Sequence, residues 1–297
     1  MDSRLVLSLK KRKGCYKSKI ELLSPAKINL YLNLLGRYRD GYHKIESIFE
    51  RISLCDKIDI EVTNDPGIVI QSNRRDLQNE NNLCCRAAAL IKSELNIPFG
   101  FKIILKKNIP VGSGLGGGSS NAACVLLGID ALLDLKLSRQ KLYRLGGKLG
   151  SDVNFFLSEA SFALVSGRGE KIIPFNAKKF EHIIIWPRAG LATKKVYRHT
   201  QVKLTKFLSN VKILQYALRK GDVALVRQNI FNALEPSALA LCAKLRRAKQ
   251  YFDKKGILVK VTGSGSALYA ILGYRADCLI DIDKIPKSWD VFKAWTF

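Results

Sequence analysis

Hydrophobic residues in the first part of this chain recur at every second position in short runs. Over 26–35, Ile28, Leu30, Leu32 and Leu34 share one face and Lys27, Asn29, Tyr31 and Asn33 the other, the period-two pattern of a strand with one polar side. Taken alone, that alternation sends Lys27 and Asn29 to solvent. Further strands are predicted over 45–54, 57–62 and 68–71, with Asp65-Pro66-Gly67 as the turn before the last. The period then lengthens. Residues 82–95 read as helix and 101–106 as strand. The strongest helix begins near Ser119, where Ala122, Val125, Leu126, Ile129, Leu132 and Leu133 recur at three- and four-residue spacing. A helix over 138–149, strands over 161–165 and 171–174, and a buried strand over 181–186 follow.

Helices dominate from there to about Lys255. The last opens at Pro236, which suits a first helical turn, and carries Ala238, Leu241, Cys242, Leu245, Ala248 and Phe252 as its apolar stripe. Gly256 ends it, and a strand is predicted over 257–261. A strand-rich early half and a helix-rich later half with interspersed strands read as α+β, without internal repeats. The expected division is a basic arm over 1–20, one domain over 21–177 and a second over 178–297.

Composition changes this picture in three places. No run approaches the roughly 18 apolar residues that span a bilayer, because Asp130 and Asp134 interrupt the longest candidate, so no membrane partner is expected. The 7 cysteines, scattered and without a C-x-x-C pair, indicate neither a zinc site nor a disulfide framework. They fit a reducing, cytoplasmic setting. The 50 Lys and Arg against 25 Asp and Glu give a net charge of +25, a field that attracts polyanions. Arg4, Lys10, Lys11, Arg12, Lys13, Lys17 and Lys19 face only Asp2 in the first twenty residues, which reads as a flexible basic arm. A basic nucleic-acid-binding protein is therefore one hypothesis. It predicts a stripe of basic and exposed aromatic residues, whereas the lysines here are dispersed.

The segment that carries chemistry is Pro110-Val111-Gly112-Ser113-Gly114-Leu115-Gly116-Gly117-Gly118-Ser119-Ser120, between a strand and the strongest helix. Glycines permit positive φ and close backbone approach, so successive N–H groups can converge on an anion, and the helix behind adds its unbonded amides. Ser119 and Ser120 can donate to a phosphate or lie near its magnesium ion. A ligand-free glycine hairpin and the Gly112-x-Gly114-x-x-Gly117 dinucleotide fingerprint compete with this reading. The latter normally opens a βαβ unit, and no Lys follows the glycines as a P-loop requires. A nucleotide-phosphate loop of another design remains.

That loop resembles the nucleotide loop of the GHMP kinases. The resemblance extends to Pro25-Ala26-Lys27-Ile28-Asn29-Leu30, Gly36-Arg37, Asp40-Gly41-Tyr42-His43, the run from Leu149 to Phe156, Gly167-Arg168-Gly169-Glu170 and Thr262-Gly263-Ser264-Gly265-Ser266. Asn154 stands where proline is common, and Ser266 where glycine is frequent. The resemblance implies a two-domain fold, ribosomal-protein-S5-like at the N-terminus and ferredoxin-like at the C-terminus. It implies a transferase that uses ATP and Mg2+, with residues 110–120 on the phosphates and Asn82 and Lys107 near adenine and ribose. Asp152 would be the general base and Lys27 its charge partner. Asn29, Tyr42, His43, Thr193, Tyr197, Gly263, Ser264 and Gly265 would bind the substrate. The motifs point to the member of the family that phosphorylates the 2-hydroxyl of cytidine diphosphate methylerythritol in non-mevalonate isoprenoid biosynthesis, as a monomer or weak dimer. A homoserine- or mevalonate-type kinase is the alternative within the family. From residues alone Asp152 reads first as a helix N-cap and His43 as a surface histidine, while Tyr197 also reads as a core tyrosine and Gly263-Ser264-Gly265 as a tight turn.

Overall fold

The structure, a computed structural model, describes residues 6–11, 17–201, 210–273 and 281–297. Asp2, Arg4, Arg12, Lys13, Cys15 and Cys278 lie outside them. The chain divides into two compact units interleaved in sequence: Met1–Ala26 with Cys55–Ile109 and Gly116–Glu159, and Lys27–Leu54 with Pro110–Leu115 and Ala160–Phe297.

In the first unit, β1 (Val6–Lys11) pairs antiparallel with the start of β2 (Lys17–Arg37), Leu9 opposite Ile20. This part of the expected flexible arm is therefore a strand, because the edge of β2 offers its backbone groups partners. The strands predicted over 45–54 and 57–62 are one strand, β3 (His43–Thr63), with no Gly or Pro to break it. Its second half pairs antiparallel with β5 (Gly100–Lys106), which pairs in parallel with β4 (Ile68–Ser72). Parallel neighbours need a crossover, supplied by α1 (Leu83–Glu94).

The helix predicted near Ser119 begins earlier, as α2 (Gly117–Leu133), and is buried nearly all round. It lies so close to the sheet that a Cβ on Gly128 would stand 2.6 Å from Ile60 and 2.7 Å from Leu22. An alanine there would have to push the ends of both side chains aside. Helices α3 (Arg139–Leu149) and α4 (Val153–Leu157) pack with α2.

In the second unit, the first half of β3 pairs antiparallel with β6 (Phe162–Gly167), and β6 with β7 (Lys171–Phe175). A four-stranded antiparallel sheet is built on β8 (Glu181–Trp186). Helices α5 (Thr193–His199), α6 (Asn210–Lys220) and α7 (Val223–Asn229) follow. The two-residue strand β9 (Phe231–Asn232) then joins β2 in parallel at Tyr31 and Leu32.

The helix predicted from Pro236 is two helices, α8 (Glu235–Leu241) and α9 (Ala243–Asp253), parted by Cys242 in extended backbone. Cys242 N–H still donates to Ala238 O and its carbonyl still accepts from Arg246 N–H. The apolar spacing therefore runs on across the break and hides it. The strand predicted over 257–261 shrinks to β10 (Lys260–Val261), the only residues of that stretch paired with β11 (Leu268–Ile271). The second edge of β8 is covered by β12 (Asp290–Trp295).

The alternation over 26–35 misleads about exposure. Lys27 is 4 % exposed, Asn29 2 %, Tyr31 1 % and Asn33 3 %, so both faces of β2 are covered there. Buried polar groups of this kind require partners, and these determine the geometry of the candidate site. A second such group is the buried Glu50 carboxylate, which lies 2.8 Å from His182 Nε2 and accepts the Thr296 hydroxyl at 2.6 Å.

Candidate nucleotide- and substrate-binding residues

The glycine loop alternates between ordinary and left-handed backbone: Gly112, Gly114 and Gly116 have φ of 67°, 81° and 72°. A side chain at Gly114 would put its Cβ 2.3 Å from Thr262 O, so the loop can approach that backbone only as glycine. Three carbonyls of the loop accept from backbone amides distant in sequence. Gly112 O accepts from Leu191 N–H at 3.0 Å, Ser113 O from Ala267 N–H at 2.9 Å and Leu115 O from Lys27 N–H at 2.9 Å. In a trans peptide the following N–H points the opposite way, so the amides of Ser113, Gly114 and Gly116 each point away from the partner of the carbonyl before them. Ser113 Oγ spends its proton on Pro110 O at 2.7 Å, and Val111 is exposed.

The helix that follows is capped by Gly116, with no side-chain oxygen over its first turn. The amides of Gly117, Gly118 and Ser119 precede its first backbone bond, Ser120 N–H to Gly116 O. Such an end carries the positive pole of the helix dipole and suits an anion. Ser119 is partly exposed, whereas Ser120 is fully buried and accepts from Ser24 Oγ at 2.8 Å.

A buried carboxylate, Asp56, fixes the chain that enters the loop. Its Oδ1 accepts from the amides of Asn108 at 2.7 Å and Ile109 at 2.8 Å, and its Oδ2 from Lys107 Nζ at 2.6 Å and Asn121 Nδ2 at 2.8 Å. Lys107 also donates to Ile109 O at 2.7 Å. Burial pulls the Lys107 ammonium below the usual lysine range, and the charge of Asp56 opposes that pull. Lys107 is thus a brace of the strand end that leads to the loop. Asn82 is the N-cap of α1: its Oδ1 accepts from Cys84 N–H at 2.9 Å and its Nδ2 donates to Leu77 O at 2.7 Å. Asp152 sits at the start of α4, but its side chain makes no capping bond, and Ser151 Oγ donates to it at 3.4 Å.

In the second unit, Lys27 Nζ donates to Asn29 Oδ1 at 2.5 Å and lies 4.7 Å from the Phe49 ring centre. Asn29 Nδ2 donates to Ser47 Oγ at 3.0 Å, and Asn29 N–H to Thr262 Oγ1 at 3.0 Å. Gly263, at φ 54°, presents its α-carbon to this group: a Cβ there would stand 3.2 Å from Asn29 Oδ1 and 3.3 Å from Lys27 Nζ. Asn232 holds the Gly263 loop from β9, donating to Val261 O at 2.7 Å and Gly263 O at 2.8 Å. Thr193 Oγ1 and Ser264 Oγ are 3.0 Å apart, and Trp186 Nε1 donates to Ser266 Oγ at 3.2 Å. A Cβ on Gly265 would meet Val261 at 3.2 Å.

His43 and Tyr197 form a second cluster in that unit, their rings 5.2 Å apart and tilted by 45°. Arg37 Nε donates to His43 Nε2 at 2.9 Å, which leaves the ring proton on Nδ1. Burial, aided by the Arg37 charge, lowers the His43 pKa from its ordinary value. Tyr42 is 62 % exposed. Arg168 caps it: its guanidinium lies 5.1 Å from the Tyr42 ring centre, 4.8 Å from that of Tyr38, and 2.5 Å from Asp40.

The sequence motifs contain Arg37 and Arg168 but give them no role. Asp56, Ser47 and Asn232 are absent from every motif. Asp56 is one acid in a strand, 51 residues from Lys107, and nothing local marks the pair.

Comparison with known proteins places the fold. The family model for the GHMP kinases N terminal domain matches residues 82–159, and that for the GHMP kinases C terminal domain matches residues 214–281. A solved mevalonate kinase from L. major, 17% identical with a TM-score of 0.70 over 97% of each chain, shares the same overall fold. These define a GHMP kinase fold, and with it an enzyme that uses ATP. More specific are a 4-diphosphocytidyl-2-C-methyl-D-erythritol kinase of an Acidovorax species, 36% identical over 90% of this chain and 91% of its own, and one from Clostridium perfringens, 37% identical over 82% and 86%. A crystal structure of 4-(cytidine 5'-diphospho)-2C-methyl-D-erythritol kinase matches with a TM-score of 0.70 and 32% identity, covering 84% of this chain and 89% of that one. The chain belongs to the 4-diphosphocytidyl-2-C-methyl-D-erythritol kinase family. Among the described residues, no helix is long and apolar enough to cross a membrane.

Proposed function

We propose that the chain transfers the γ-phosphoryl group of ATP to the 2-hydroxyl of 4-diphosphocytidyl-2-C-methyl-D-erythritol, a step in making isoprenoid precursors. The observation that supports phosphoryl transfer is the loop: left-handed glycines at 112, 114 and 116 leading into a helix whose first turn has no side-chain cap. The choice of acceptor rests on the names of relatives that match nearly end to end.

Phosphoryl transfer asks mainly for positioning and charge stabilisation. In this reading the loop amides and the first turn of α2 hold the phosphates. Asp152, at the start of α4, accepts the proton of the acceptor hydroxyl. Lys27 supplies positive charge, Asn29 orients the acceptor, and the Gly263-Ser264-Gly265 turn with Thr193 closes on the substrate. Tyr42, His43 and Tyr197 receive the cytosine ring, since a tilted aromatic pair offers stacking and the neutral imidazole a donor at Nδ1. Mg2+ would be carried mainly by the phosphates and water, and would supply charge neutralisation there. Asn82 and Lys107 act through the framework around the nucleotide.

The domain division at 177/178, a monomeric or weakly dimeric state, a cytoplasmic location and the absence of a nucleic-acid partner belong to the same reading. The family models are consistent with that division, since they end at 159 and begin at 214.

The test is ADP release in a coupled assay with Mg-ATP and a panel of acceptors: the cytidylylated methylerythritol, homoserine and mevalonate phosphate. Turnover confined to the first is expected. Equal or better turnover of either other acceptor would overturn the substrate assignment. Asp152→Asn and Lys27→Ala should each lose most turnover while staying folded, and a near-normal kcat in either removes that residue from the mechanism.

A further inference from the structure

The buried group around Lys27 obeys a donor and acceptor arithmetic with one solution. Ser47 has a single hydroxyl proton, and it goes to the carbonyl of Tyr31. Toward Asn29 the Ser47 oxygen can therefore only accept, and it takes a proton from Asn29 Nδ2 at 3.0 Å. The carboxamide is thereby turned with Oδ1 toward Lys27 Nζ, 2.5 Å away. In the flipped orientation its NH2 would face the ammonium, donor against donor, and its oxygen would face an oxygen with no proton to give. Asn29 is further anchored by its own N–H on Thr262 Oγ1. Ser47 is fully buried and Asn29 nearly so, so water cannot step in for a lost partner.

We infer that Ser47 is a positioning residue: it locks the Asn29 carboxamide, and through it the Lys27 ammonium, in the orientation that phosphoryl transfer uses. This rests on the reading that Lys27 takes part in the reaction, so Lys27→Ala is measured alongside. Ser47 itself is fully buried.

Ser47→Ala removes the lock but keeps both head groups in the protein. Turnover is expected to fall about 10- to 100-fold, as a displacement of about an ångström can cause, with KM for ATP and for the acceptor within about twofold. Ser47→Thr, which restores the hydroxyl, should recover kcat. In an Asn29→Asp background the carboxylate presents an oxygen to Lys27 in either orientation, so Ser47→Ala should there change kcat less than about twofold, a strong non-additivity. An additive loss in both backgrounds, or a Ser47→Ala enzyme with normal kcat beside an inactive Lys27→Ala enzyme, overturns the inference. If Lys27→Ala retains activity, the reading of Lys27 fails instead. Should Ser47→Ala not fold, the unaltered protein still decides: the Asn29 side-chain NH2 must exchange slowly with solvent by NMR, and fast exchange refutes the lock.

Discussion

Replacing Asp56 by alanine should be among the most damaging single changes in the first unit. The fully buried carboxylate satisfies two backbone amides, the Asn121 amide and the Lys107 ammonium, which is 6 % exposed. Alanine takes an acceptor from all four donors and leaves a buried cation with no carboxylate. Breaking a buried pair from one side typically costs about 3–5 kcal/mol. At about 2–4 °C per kcal/mol for a chain of this size, the melting midpoint should drop by about 6–20 °C. The same arithmetic predicts that Asp56→Asn combined with Lys107→Met is milder, about 1–2 kcal/mol. Asparagine keeps an oxygen for the amides of Asn108 and Ile109, and no charge is left buried. Thermal melts of the ligand-free protein, single against double variant, read this directly. A loss under about 1 kcal/mol for Asp56→Ala, or a double variant less stable than the single one, would refute the reasoning, because Asp56 would then not be answering the charge of Lys107.

Gly114→Ala forces a Cβ to 2.3 Å from Thr262 O at φ 81°, so KM for ATP should rise at least about 10-fold in steady-state assays. Gly128→Ala places a Cβ 2.6 Å from Ile60 and should destabilise by about 1–3 kcal/mol in chemical denaturation. His43, beside Arg37 and the Tyr197 ring, is held below its ordinary pKa, chiefly by burial and then by the Arg37 charge. Its contribution to stability is therefore present above the unfolded value of about 6.5 and is lost as pH falls toward the lowered folded value. Arg37→Ala should move the imidazole titration upward in NMR, and a His43 that titrates at 6.5 or above in the unaltered protein contradicts the assignment. Glu94, between Lys148 and Lys141, has its carboxyl pulled down to about 2, and Lys148→Ala should raise it in the same titration.

Most of the secondary structure, and the family, can be read from residue order alone. Period-two and three-to-four spacings are local properties, so the strand over 181–186 and the helix of Leu126 and Ile129 are legible from hydrophobicity alone. The glycine loop is legible too, because positive φ at Gly112, Gly114 and Gly116 is a demand on the residue itself. What failed was whatever depends on a distant partner. Cys242 breaks a helix without disturbing its period, and the polar face of β2 is buried because other strands and loops cover it. Asp56 pairs with Lys107, Ser47 with Asn29, and Asn232 with the Gly263 loop across long separations in sequence. A buried polar side chain is stable only where its exact number of donors and acceptors is met, and that count belongs to the tertiary structure.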